Sequence, residues 1–248
     1  MQRHEPLFNV PNSVLVVIAL LFAIHFSWGL MPPDFESWLF AAGAFIPSRY
    51  AGEADLLPGG WVAMFTSPVT YQLMHGDLMH IMFNSLWLLA FGGAVALRVG
   101  TLRFLLFSVV CGVIAAFAFL ALNWGMRAPV IGASGAVAGL MGGTMRFLFV
   151  ALDLGGIWRL REAPRSIPLM SLHDALGDKR VIAASLVIVA INLLAFLGVG
   201  VAGVEGSSIA WESHIGGYMA GLMLFGWFDY RKPHAPRKPD LKVVPTIH

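Results

Sequence analysis

Along this chain, long apolar runs alternate with short breaks rich in glycine, proline or charge. A helix that crosses a bilayer needs about 20 mostly apolar residues. Six runs approach that length: 14–31, 77–97, 102–122, 134–150, 181–201 and 209–228. Asn12 or Ser13 is the expected cap of the first, and Pro32-Pro33 its stop. Asp77 is the expected cap of the second. The stretch 33–76 differs. It mixes Trp38, Phe40, Phe45, Trp61 and Phe65 with Gly and Pro breaks, which suits a structured loop lying in the membrane interface, where Trp is enriched. The polar segment 153–180 holds Gly155-Gly156, Pro164 and Pro168, and reads as a connector. These patterns predict an all-α membrane protein, a bundle of six transmembrane helices with a structured outer loop between helices one and two. The expected organisation is an N-terminal segment 1–13, a membrane domain 14–229 and a basic, proline-rich tail 230–248, expected to be disordered. No internal repeat is evident.

Composition strengthens the membrane assignment. Of 248 residues, 58% are hydrophobic and only 12% charged, where a soluble domain is roughly half apolar and a quarter charged. A soluble fold of this composition lacks the polar surface to cover itself. No small-residue cleavage site follows the first run, so it reads as a retained helix. The single cysteine, Cys111, lies in an apolar run and reads as packing.

Charge placement sets the expected orientation. With the N-terminus in the cytoplasm and six spans, all 16 Lys and Arg except Arg49 and Arg127 fall on or near the inner side. An odd number of spans would move the basic tail outside. Both termini are therefore expected inside, in a bacterial-type plasma (inner) membrane. Arg146 lies about 18 Å along its helix from Ser134, near the inner interface, where it is expected to snorkel.

With this orientation spans two, four and six all start at the outer face. Near those starts lie polar residues. Span two carries His75, His80 and Asn84, the last two on one helical face. Span four begins Gly132-Ala133-Ser134-Gly135, and span six carries Ser213-His214-Ile215-Gly216-Gly217 and Gly221. A serine hydroxyl becomes a nucleophile when a base takes its proton, and histidine is the usual base near neutral pH. A helix start supplies unpaired backbone N–H groups at the positive end of the dipole, suited to an oxyanion. Gly135-x-x-x-Gly139 and Gly217-x-x-x-Gly221 are small-residue patterns that let helices approach. Each feature alone has a plainer explanation. Ser134 suits a helix cap, the glycines suit packing, and His80, Asn84 and His214 suit interhelical hydrogen bonds. His75 suits an anchor for the loop. Their shared depth on three helices is what points to chemistry.

Taken together, His75-x4-His80-x3-Asn84, Gly132-Ala133-Ser134-Gly135 and His214-x-Gly216-Gly217-x3-Gly221 resemble the three signature motifs of the rhomboid family of intramembrane serine proteases. The resemblance covers about 14–228. It implies Ser134 as nucleophile and His214 as its base, acting as a dyad. It implies Asn84, His80 and the Ser134 backbone as oxyanion donors, with Gly132 shaping the turn of that oxyanion site. It implies a serine endopeptidase that cuts transmembrane or juxtamembrane segments of membrane-protein substrates. No metal, other cofactor or nucleic acid is implied, and the oligomeric state stays open. One departure bears on how the outer loop is anchored: many members carry Trp-Arg there, whereas Trp61 is followed by Val62. Glu205 and Glu212 are candidates for a third residue orienting His214. Glu212, two positions away, points to another helical face. The rival functions are an inactive relative that binds membrane clients, a haem- or proton-handling protein using His75, His80 and His214, and a transporter.

Overall fold

A computed structural model of the chain describes residues 10–196 and 210–229. Helices follow the six apolar runs. Among the described residues four have the length and hydropathy to cross a membrane: α1 (Asn12–Leu30), α4 (Leu78–Val99), α5 (Thr101–Leu122) and α6 (Ser134–Gly155). Between α1 and α4 lie α2 (Pro33–Gly43) and α3 (Gly60–Thr70). After α6 come the short α7 (Arg159–Glu162) and α8 (Leu172–Gly177). The bundle closes with α9 (Lys179–Phe196) and α10 (Trp211–Phe228). The predicted end of span five and start of span six, with Glu205, lie outside the described residues, as do most of the N-terminal segment and the tail. Among the described residues the one extended pairing is an isolated bridge between Phe45 and Val130.

Burial decides which helix is central. In its apolar window α6 is 72% buried, against 11% for α1. The faces of α1, α4, α5 and α9 expose Leu20, Phe83, Leu106 and Leu186, side chains whose natural solvent is lipid. Around α6 the core gathers Phe104, Phe107, Leu140, Phe147 and Phe225. The α6–α10 contact is made by glycine. A Cβ at Gly217 would land on the Gly135 carbonyl oxygen, one at Gly221 on the Gly139 carbonyl oxygen, and one at Gly142 on the Tyr218 carbonyl oxygen. Backbone therefore meets backbone along this seam, as small residues permit where no hydrophobic force drives helices together in lipid.

Several details depart from expectation, each for a physical reason. Neither Asn12 nor Ser13 caps α1. Pro11 holds the cap position without a side-chain bond, and the Ser13 hydroxyl is buried without a partner. Pro32-Pro33 ends one helix and also starts the next, because proline at the first helical position has no N–H to leave unpaired. The stretch 33–76 is a structured loop that contains two helices. Pro68 sits inside α3 and cannot donate to the Met64 carbonyl one turn earlier, and the Tyr50 hydroxyl takes that acceptor instead. Arg146 does not snorkel. It is 4% exposed, and its guanidinium donates to the Met170 carbonyl twice, at 3.0 and 2.7 Å, and to the Leu222 carbonyl at 2.9 Å. Two backbone carbonyls, one from the connector before α8 and one from within α10, satisfy this charge in place of water. Arg98 is held at the same end by Asp229, at 2.6 Å, and by the carbonyls of Pro164 and Ile167.

The loop's anchor is Arg49 rather than a residue beside Trp61. Trp61 and Val62 are both exposed, whereas Arg49 is 1% exposed. Its guanidinium donates to the carbonyls of Pro58 (2.8 Å), Gly60 (3.3 Å) and Ala41 (2.9 Å), tying α2 to the start of α3. Tyr50 adds a bond to the Met64 carbonyl at 2.7 Å. Arg49→Ala is expected to destabilise the fold by about 2–4 kcal/mol, since charge-assisted bonds to buried carbonyls are lost together. Unfolding midpoints in detergent check this, and an unchanged midpoint would remove Arg49 as the anchor. On the surface, Arg127 makes a bidentate pair with Glu53 at 2.9 and 2.7 Å. Arg127 holds the Glu53 carboxyl below its usual range, so this tie is present at neutral pH and fades only in acid.

Candidate active site

The loop and the helices meet at the start of α6. Phe45 and Val130 exchange backbone hydrogen bonds at 3.0 and 2.9 Å, and Ser48 N–H reaches the Met126 carbonyl at 2.9 Å. The Gly132 N–H donates to the Tyr71 carbonyl at 2.9 Å. Tyr71, itself buried, ties its hydroxyl to the Gly112 carbonyl on α5 at 2.7 Å. The segment entering α6 is thus held from both sides before the helix begins.

Gly132 has φ +120°, a conformation that L side chains rarely adopt. A Cβ there would fall 2.7 Å from His80 Nε2 and 3.7 Å from Ser134 Oγ. His80 fills that space, so only glycine fits. Because its N–H is spent on Tyr71, Gly132 contributes the shape of the turn and not a hydrogen-bond donor. Ala133 occupies the cap position of α6, and Ser134 is the first helical residue. The first regular helix bond runs from Val137 N–H to the Ala133 carbonyl at 2.9 Å. The Ser134 side chain caps nothing. Instead its Oγ lies 2.7 Å from His214 Nε2 on α10. Both residues are half-buried, reachable from the surface of the bundle.

The residues singled out on α4 take different places. Asp77 caps the helix, its Oδ1 accepting the His80 N–H at 2.8 Å. The His80 ring packs edge-on to that of His75, with centroids 5.0 Å apart. Asn84 is 5% exposed, one turn further along, and its amide donates to the His80 carbonyl at 2.9 Å. His75 is buried in the loop before α4. Its Nε2 accepts the Ala133 N–H at 3.4 Å, and its carbonyl faces His25 Nδ1 on α1 at 3.2 Å. His75 thus anchors the turn leading to Ser134. The structure brings Ser134, His214, His80 and Gly132 together, and sets Asn84 and His75 around them.

Glu212 does not approach His214. Its carboxylate accepts a bond from Asn123 at the end of α5, at 3.1 Å. The second ring nitrogen of His214 meets a residue that sequence reasoning passed over: Asn192 on α9, with Oδ1 2.6 Å from Nδ1. A signal for it existed. Asn192 is the single amide in the otherwise apolar run 186–196, and polar groups inside hydrocarbon need partners. Among the described residues no cluster of His, Cys, Asp or Glu has the geometry of a metal site.

A serine hydroxyl and a histidine ring thus meet across two helices whose backbones touch through glycine, at the end of the bundle where α4, α6 and α10 all begin. Among curated proteins none matches the chain significantly. The family model of the Rhomboid domain matches residues 62–232, which takes in most of α3, all of α4 to α10 and the three motifs. With that match covering well over half of its length, this integral membrane chain belongs to the rhomboid family.

Proposed function

We propose that this protein is an intramembrane serine endopeptidase that cleaves transmembrane or juxtamembrane segments of other membrane proteins. The observation that carries this is the 2.7 Å contact between Ser134 Oγ and His214 Nε2, drawn from two helices and tied to no structural cap. In the proposed reaction Ser134 Oγ attacks the scissile carbonyl while His214 takes its proton. The tetrahedral oxyanion is held by the Ser134 backbone N–H at the positive end of α6, together with the side chains of His80 and Asn84. His214 then gives its proton to the leaving amine, and an acyl-enzyme remains on Ser134. Water, activated by the same imidazole, releases the second product. A helical substrate has its carbonyls hydrogen-bonded and wrapped by side chains. Segments that unwind readily, with small residues at the cut, are the expected substrates.

The proposed setting is a plasma membrane with both termini in the cytoplasm. This is supported by Arg98, Arg146, Arg165 and Arg180, which lie towards the end of the bundle opposite Ser134. The site then opens to the outer side, where water is available.

The test is labelling of the protein in detergent by a fluorophosphonate, with Ser134→Ala as control. Label on the intact protein and none on the variant is the expected result. No label on either would favour an inactive relative that binds clients without cutting them. Asn84→Ala is expected to lower kcat about 10²–10³-fold with little change in KM, the signature of a donor used in the transition state. An equal loss in KM alone would place Asn84 in substrate binding instead.

A further inference from the structure

We infer that Asn192 is a positioning residue that sets the tautomer and ring orientation of His214, making the site a Ser134–His214–Asn192 relay of hydrogen bonds across α6, α10 and α9. This rests on the protease assignment for its catalytic consequence but on geometry for its content. A serine base must present an unprotonated Nε2 to the hydroxyl, so the ring's proton has to sit on Nδ1. Nδ1 of His214 lies 2.6 Å from Asn192 Oδ1. The amide nitrogen of Asn192 donates to the Ile188 carbonyl at 2.8 Å. These two contacts remove the usual ambiguity of an amide. Turning the amide over would put its oxygen against the Ile188 carbonyl, leaving two acceptors face to face. Oδ1 therefore faces the ring, and as an acceptor it requires Nδ1–H. The proton is assigned to Nδ1, Nε2 is left as acceptor, and Ser134 Oγ–H donates to it.

The register of α9 against α10 is held by a second polar contact. Ser185 Oγ lies 2.7 Å from the Val181 carbonyl and 2.6 Å from the Tyr218 hydroxyl. Ser185 has one proton, which it gives to Val181, so Tyr218 donates to Ser185. Ser185 and Asn192 are seven residues apart, two turns along one face. They fasten α9 to α10 at two points and bring the amide opposite the imidazole. Ser134 and Asn192 are neutral. Among the described residues, the ionisable group facing His214 is His80 on α4; Glu212, on its own helix, turns away to Asn123. The Asn192 amide takes the place that an aspartate holds in a Ser-His-Asp triad, and being neutral it fixes the ring's orientation without a buried charge.

Two measurements on the full chain in detergent test this. The first is independent of activity. Histidine labelled with ¹⁵N, with His214→Ala used to assign the signal, should show His214 protonated at Nδ1 in the intact protein. In Asn192→Ala the same ring should show a mixture of tautomers. Retention of the pure Nδ1–H form in Asn192→Ala would overturn the inference even if the protein cleaves nothing. The second is kinetic. Asn192→Ala should lower kcat about 10- to 100-fold with KM little changed, the loss expected when a buried imidazole N–H is left without its acceptor. Asn192→Asp should restore most of the rate and move the acidic limb of the pH–rate profile to higher pH, because a carboxylate beside the ring favours the imidazolium. A merely structural role would move neither the tautomer nor the limb. An Asn192→Asp profile whose limb stays in place would refute a direct contact. If the intact protein shows no Ser134-dependent cleavage while the tautomer shift is seen, the protease assignment fails and the Asn192 assignment stands.

Discussion

Ser134→Ala and His214→Ala are each expected to reduce cleavage of a single-span substrate in liposomes by about 10⁴-fold or more, to the background of the assay. The size follows from the roles. Without Oγ no acyl-enzyme can form, and without the imidazole the hydroxyl keeps its proton. Members of such a unit are strongly non-additive, so the double variant should be no worse than either single one. The helix start, the oxyanion donors and the glycine seam remain in both variants, and folding should be unaffected. Ser134 is half-buried and makes no cap bond, so its loss leaves no structural donor orphaned. Cleavage by Ser134→Ala at the rate of the intact protein would end the proposed mechanism and move any activity to another group.

The second large effect is expected from a single methyl group. Gly217→Ala and Gly221→Ala place a Cβ on the carbonyl oxygens of Gly135 and Gly139, which are backbone atoms and cannot swing aside. The helices α6 and α10 must separate locally. Gly217 follows His214 by three residues and Gly135 follows Ser134 directly, so the separation is felt at the dyad. A misplacement of about 1 Å costs roughly 10²-fold in rate when reacting groups must meet in one geometry. Both variants should therefore lose about 10²-fold or more in kcat/KM, and overpacking should lower stability by about 1–3 kcal/mol. Fluorophosphonate labelling should fall in parallel with cleavage. Gly93→Ala is the matched control, since a Cβ there meets nothing within 4 Å, and its activity should stay within about twofold. Full activity in Gly217→Ala would mean that close backbone approach is not what holds the pair together.

These two effects have one origin. The proposed chemistry depends on two side chains from separate helices, and the distance between them is set by glycines that carry no chemistry. The outer loop serves the same end by another route. Arg49 ties the loop to itself, the Phe45–Val130 bridge ties it to the segment before α6, and Gly132 turns the chain at positive φ into the helix on which Ser134 meets His214.

Much of this was legible in the amino-acid order alone. Apolar runs of membrane length located the helices to within a few residues, because in lipid a backbone must satisfy its own hydrogen bonds and a helix is the local way to do so. The motif spacing on the second, fourth and sixth runs singled out His80, Asn84, Ser134 and His214, since polar groups are costly in hydrocarbon and stand out against it. What only the tertiary structure decided are matters of approach between segments distant in the chain. Periodicity carries no information on which carbonyls lie within reach of a buried guanidinium, so the enclosure of Arg146 and the anchoring by Arg49 were not readable. Nor could spacing tell that Glu212 turns to Asn123 while Asn192, 22 positions from His214, meets its ring. Sequence determines which side chains are available at a given membrane depth, because depth follows from distance along a helix. Which of them touch depends on how closely the helices pack and in what rotation, and that is settled by the glycine seam and the polar ties across the bundle.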